Sequence, residues 1–209
     1  MAQPAEPAEQ TEPQLQEVQD EDEDNPNYKV PEKKALDEML KQDKEDESLE
    51  KYKRELLQGG EPGLELYPDR LNAVPVKLAL VVEGRPDVEV DLLKDLEEIK
   101  KTHLVIKEGT TYRVKIYFYV QRDIVTGLKY TQNLYKKGLK HIKVDKSNFM
   151  VGSYPPRKEI QSYTTPPDEA PSGFIARGQY KVDSQFTDDD NHNYLKWEWT
   201  LEIKKDWKD

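Results

Sequence analysis

Two runs of strict alternation constrain this chain more than anything else in it. Tyr112, Val114, Ile116, Phe118 and Val120 alternate with Arg113, Lys115, Tyr117, Tyr119 and Gln121, and Leu195, Trp197, Trp199, Leu201 and Ile203 alternate with Lys196, Glu198, Thr200, Glu202 and Lys204. Successive side chains of a strand point to opposite faces, so a period of two over this length describes a half-buried antiparallel strand. Shorter candidates run over 76–82, 88–92, 104–107, 130–135, 149–154 and 180–186, separated by turn residues such as Glu108-Gly109 and Thr187-Asp188-Asp189-Asp190-Asn191. No long helical pattern intervenes, although Leu93 to Lys101 has room for a helical turn or two. Short strands without βαβ spacing predict an all-β, immunoglobulin-like two-sheet sandwich.

The rest of the chain differs in kind. Residues 1–26 hold Glu6, Glu9, Glu12, Glu17, Asp20, Glu21, Asp22, Glu23 and Asp24, four prolines and no Lys or Arg. Such a stretch cannot bury a core and is expected to be a disordered acidic leader. It carries most of the formal net charge of -10, which leaves the remainder near neutrality and argues against nucleic acid as a partner. Residues 27–60 read as an arm of two short amphipathic helices, one striped by Ala35, Leu36, Met39 and Leu40, the other by Leu49, Tyr52, Leu56 and Leu57 and ended by Gly59-Gly60. Both are too short to persist alone in water, so each stripe needs a surface, on this chain or on a partner. A linker over 61–73 leads into the sandwich, 74–209.

With no cysteine in the chain, disulfides, thiolate nucleophiles and Cys-rich zinc sites are excluded. The start shows no basic region followed by an apolar run, no stretch is apolar enough to span a membrane, and neither a myristoylation glycine nor a CaaX box is present; a soluble, cytosolic chain is expected. The phosphate-binding, nucleophile-elbow and zinc motifs are missing, and His103, His141 and His192 lie far apart. The expectation is a protein that is not an enzyme and holds no metal or cofactor. The run Asp188-Asp189-Asp190 lacks the ligand pattern of a calcium loop and reads as a hairpin turn with solvated acids, which could also meet an Arg on a partner. Lys136, Lys137, Lys140, Lys143 and Lys146, interleaved with Leu139, Ile142 and Val144, read as a lysine-protected edge strand or, alternatively, as a membrane-facing cluster. Trp197 and Trp199 share one strand face, either as filled core or as the lining of a cavity; the pattern does not distinguish these.

Several segments together resemble the Rho GDP-dissociation inhibitor family: Asn27-Tyr28-Lys29, Asp46-Glu47-Ser48-Leu49 followed by Lys51-Tyr52-Lys53, Ile124 through Tyr130 (IVTGLKY), Met150-Val151-Gly152-Ser153-Tyr154, Glu169-Ala170-Pro171-Ser172-Gly173, Ala176-Arg177-Gly178, Phe186 through Asp190, and Trp197-Glu198-Trp199 through Trp207. The resemblance spans about residues 27–209. It implies a non-enzymatic inhibitor that binds prenylated, GDP-bound Rho-family GTPases, blocks nucleotide exchange and extracts them from membranes. It implies a monomer that forms a one-to-one complex, with only a transient encounter with the membrane surface. A geranylgeranyl group would be the bound ligand, its pocket lined by Leu80, Val82, Leu104, Tyr112, Ile124, Ile175, Val182, Trp197 and Trp199. Tyr28, Asp46, Leu49 and Tyr52 would serve the arm contact, and Asp190 would face a basic residue of the GTPase. Ala35 stands where the family often has serine, and Val82 where it has cysteine. From other classes, a plain protein-interaction module and a general prenyl carrier without nucleotide selectivity remain as alternatives.

Overall fold

A computed structural model describes residues 60–138 and 143–207, so the arm and its four expected contact residues, Tyr28, Asp46, Leu49 and Tyr52, lie outside the described residues. Among the described residues ten strands and one short helix follow one another: β1 (Ala73–Val82), β2 (Val88–Asp91), α1 (Leu96–Lys100), β3 (His103–Lys107), β4 (Thr111–Val120), β5 (Val125–Lys136), β6 (Lys143–Tyr154), β7 (Gln161–Thr164), β8 (Asp168–Glu169), β9 (Gly178–Thr187) and β10 (Asn193–Lys204). They form two sheets. One has the order β2-β1-β4-β7 with β8 also on β4, and the other β3-β10-β9-β5-β6. All pairings are antiparallel except β3 with β10.

The alternation that predicts the long strands also fills the core. Tyr112, Val114, Ile116, Phe118 and Val120 of β4 are all buried, as are Trp197, Trp199, Leu201 and Ile203 of β10. The two inner faces meet where the Phe118 ring lies 5.3 Å from that of Phe186 on β9, a separation at which tilted aromatic pairs attract. Helix α1 falls within the Leu93–Lys101 stretch and closes onto the core through Ile99. Strand β1 starts at Ala73, ahead of the apolar run, because Pro75 is taken up at a register shift between Pro75 and Lys77, where a residue without an N–H does least harm. Strands β7 and β8 leave no mark in the sequence. Gln161-Ser162-Tyr163-Thr164 has no apolar alternation, and β4 supplies its pairing. The basic cluster lies partly on β6, an edge strand that carries Lys143 and Lys146, as the lysine-protected reading expects; Leu139, Lys140 and Ile142 fall outside the described residues.

One residue departs from its parity. Gln121 continues the polar, outward phase of β4 in the sequence, yet it is fully buried. Its Oε1 accepts from the backbone N–H of Leu66 (3.0 Å) and Tyr67 (2.8 Å), and its Nε2 donates to the carbonyls of Tyr67 (2.8 Å), Arg70 (3.1 Å) and Leu71 (3.0 Å). One amide thereby satisfies five backbone groups and ties residues 66–71 to the sandwich. Gln121→Ala would take this partner from the Leu66 and Tyr67 N–H groups and the Leu71 carbonyl, and one of two donors from the Tyr67 and Arg70 carbonyls, so unfolding in guanidinium should show a loss of about 2 kcal/mol or more, with new protease cleavage between Leu64 and Leu71. Unchanged stability would show that the segment is not held by this side chain.

Candidate functional site

The first sheet is incomplete on the side next to β4. Strands β7 and β8 have 4 and 2 residues, whereas β5 and β6 in the other sheet have 12 each. At this end Leu134 of β5 and Val144 of β6 therefore face open space, and a cavity of about 580 Å³ opens between the sheets. That is within the size range of pockets that enclose small ligands. The wall is largely apolar: Leu134 of β5, Val144 of β6, Tyr180 of β9, Leu201 and Ile203 of β10, Tyr112 of β4, and the loop from Ala170 to Ala176. Asp145, Asp168 and Glu169 add carboxylates. The Tyr112 hydroxyl donates to Asp168 at 2.9 Å, and burial, with that carboxylate alongside, pushes the phenol's pKa far above its usual value.

The loop wall is clamped at its base. Arg177 donates to both oxygens of Glu108, Nη2 at 2.7 Å and Nε at 2.8 Å, and the Gly173 N–H donates to the same carboxylate at 2.9 Å. Backbone bonds from Gly109 N–H to the Ala170 carbonyl (2.7 Å) and from Ala170 N–H to the Thr110 carbonyl (3.0 Å) fix the other strand of the loop. The Tyr180 hydroxyl also donates to the Ala176 carbonyl. The Arg177 pairing, then the Gly173 N–H, holds the Glu108 carboxyl down from 4.5 to about 2. The folded value lies below the unfolded one, so the clamp contributes fully above pH of about 4.5 and is lost as the pH falls toward about 2. The stability difference between the natural chain and Glu108→Gln should accordingly be constant near neutrality and vanish across that acid window. A difference that grows on acidification would refute the clamp.

Of the nine residues expected to line a pocket, the structure brings Tyr112 and Ile175 to this cavity. Leu80, Val82, Leu104, Val182, Trp197 and Trp199 are buried in the core and Ile124 is half-buried at the entry to β5. Trp199 occupies the next inward position of β10 beyond Leu201, and so lies immediately deeper than the cavity wall. Leu134, Val144, Phe174, Tyr180, Leu201 and Ile203 were not among the expected lining. The inward parity of β10 already marked Leu201 and Ile203; nothing in the sequence marked the loop position Phe174.

The acidic turn between β9 and β10 is more organised than a set of solvated acids. Asp188 is 2% exposed, because its carboxylate accepts from the N–H groups of Asp190 (3.0 Å) and His192 (2.9 Å) and from the Tyr194 hydroxyl (2.6 Å), with His192 Nδ1 at 2.9 Å. Asp189 pairs with Lys129 at 2.6 Å and lies over Gly127 on β5, whose φ of +61° and lack of a β-carbon make room for that carboxylate. Asp190 is half-buried within this preformed turn.

Residues 13–206 match the model of the family described as RHO protein GDP dissociation inhibitor. The chain is similar to Rho GDP-dissociation inhibitor 1 of Homo sapiens, 50% identical over 191 residues and covering 91% of each chain, and to the protein of that name from Mus musculus at 49%. It is also similar to Rho GDP-dissociation inhibitor 3 of Homo sapiens, 46% identical over 189 residues, covering 90% of this chain and 82% of that one.

Proposed function

The chain belongs to the Rho GDP-dissociation inhibitor family, a regulatory family that acts on Rho GTPases, and from that premise we propose that it shelters the geranylgeranyl tail of a GDP-bound Rho-family GTPase in the cavity at the open end of its sandwich. The cavity is the observation that carries this reading: apolar, between the sheets, and open at one end. A tail of about 20 carbons is worth roughly 0.8 kcal/mol per CH₂ removed from water. Leaving the bilayer for water would cost more than ten kcal/mol on that scale; leaving it for a preformed apolar slot exchanges one apolar medium for another. Extraction then depends on the balance between two lipid-like environments, tipped by protein contacts with the GTPase.

The slot cannot read the nucleotide. Preference for the GDP form has to come from contacts that differ between the two switch conformations, a task that falls to the arm, through Tyr28, Asp46, Leu49 and Tyr52, and to Asp190 on the preformed acidic turn. Holding the switches blocks nucleotide exchange, and the resulting one-to-one complex is carried in the cytosol. No catalytic step is involved. Among the described residues no helix is long and apolar enough to cross a membrane.

The test is the affinity of the purified chain for a GDP-loaded Rho-family GTPase with and without its geranylgeranyl group. Prenylation is expected to strengthen binding by orders of magnitude. Equal affinity for the two forms would leave the interaction-module reading in place, and prenyl-dependent binding that ignores the nucleotide and the arm would favour the general prenyl carrier.

A further inference from the structure

Phe174 is 88% exposed and Ile175 41% exposed, and both sit on the loop that walls the cavity. A phenyl ring held in water is unfavourable, and a slack loop would fold it away. This loop is not slack. Its base is tied by the two Arg177–Glu108 bonds, by the Gly173 N–H on the same carboxylate and by the Ala170 backbone pair. Gly173, immediately before the ring, has a φ of +105°, a conformation that side-chain-bearing residues rarely adopt and that turns the chain outward here. The exposure is therefore built into the fold.

The surroundings identify what such a tip meets. β3, β5 and β10 end here and β6 and β9 begin here, which places Lys107, Lys136, Lys137, Lys143, Lys204 and Lys205 at the same end of the molecule as the cavity. Asp145, Asp168, Glu169 and Asp206 share that end and offset part of that charge, leaving a modest positive excess. An apolar tip among long amphipathic lysines, continuous with an apolar cavity, matches the chemistry of a lipid–water interface, where rings enter the acyl boundary and lysine stems reach back to the headgroups.

Resting on the reading that the cavity takes up a prenyl chain, we propose that the Phe174-Ile175 tip is a bilayer-docking element that enters the lipid interface and sets the cavity mouth against the membrane while the tail transfers. The apolar tip carries the contact, and the lysines add to it. Extraction therefore depends on Phe174 whether or not anionic lipid is present.

The experiment follows release of a geranylgeranylated, GDP-loaded Rho-family GTPase from phosphatidylcholine vesicles, with and without phosphatidylserine, by the full chain. In parallel, binding of a fluorescent geranylgeranylated cysteine peptide is measured in solution. Phe174→Ser is expected to slow extraction by about tenfold or more, the effect of losing one buried phenyl, on both vesicle types, with a much smaller fall in peptide affinity because the ring is only one part of the cavity wall; Phe174→Trp should restore the rate. Unchanged extraction by Phe174→Ser would overturn the inference. So would a matching fall in peptide affinity, which would make Phe174 part of the cavity wall only, or a defect confined to anionic vesicles, which would point to charge. If the natural chain fails to bind the peptide, the prenyl reading itself falls, an outcome distinct from the other three.

Discussion

Leu134→Trp is expected to lower affinity for a geranylgeranylated GTPase by about 100-fold or more, roughly 3 kcal/mol, while leaving affinity for the unprenylated form unchanged. Leu134 points inward from β5 and lines the cavity near its opening, with 8% of its surface still exposed. An indole there takes up volume in a cavity of about 580 Å³, so the substitution meets space where a packed core would resist. Overpacking a filled core costs about 1–3 kcal/mol; here the unfolding midpoint should scarcely move. The measurement is paired: binding of both GTPase forms, and chemical unfolding of the variant alone. Retained prenyl-dependent affinity in a folded variant would place the tail elsewhere, and the assignment of this cavity would fail.

Trp199→Ala is expected to cost about 3–5 kcal/mol of stability, the range for removing a large buried ring, out of the roughly 5–15 kcal/mol that holds a domain of this kind together. Trp199 is 1% exposed. Its indole Nε1 donates to Ser184 Oγ at 3.0 Å, that hydroxyl lies 3.1 Å from the Tyr130 hydroxyl, and Tyr130 donates to Gln132 Oε1 at 2.8 Å. All four side chains are buried, so the ring is both packing and the donor end of a polar chain inside an apolar core. Breaking such a chain at one end leaves the buried Ser184 hydroxyl with Tyr130 as its one remaining side-chain partner. Trp197 offers an internal control. Its ring stacks at 6.0 Å on that of Tyr130, but among the described residues its indole nitrogen has no hydrogen-bond partner. Substitution by Phe should therefore cost more at Trp199 than at Trp197. Guanidinium unfolding decides it, and equal costs would show that the Ser184 bond contributes nothing net.

The two positions also show where sequence reasoning reached and where it stopped. Alternation placed Trp197 and Trp199 on one inward face, and they are there. Whether they fill core or line a slot depends on what lies across the gap, and that is set by β7 and β8, whose Gln161-Ser162-Tyr163-Thr164 and Asp168-Glu169 carry no strand periodicity. Gln121 shows the opposite limit. Its phase on β4 said outward, but five backbone groups of residues 66–71 arrive from some fifty positions earlier in the chain and enclose it. Asp188 is a third case: read as solvated, it is buried because Tyr194 and His192, across the turn, fold back onto its carboxylate.

What the sequence by itself determined is everything that depends on near neighbours: the strand periods, the two-sheet class, the short helical turn in Leu93–Lys101, and, through motifs spread over the chain, the family. Strand parity needs only the pleat of the backbone, which repeats every two residues whatever lies opposite. Only the tertiary structure decided the cavity, the Glu108–Arg177 clamp that shapes its loop wall, and the outward hold on Phe174. Each of these arises from residues distant in sequence, and from a mismatch in length between strands of different sheets. Space left unfilled between two faces is a property of both, and no single stretch of sequence contains it.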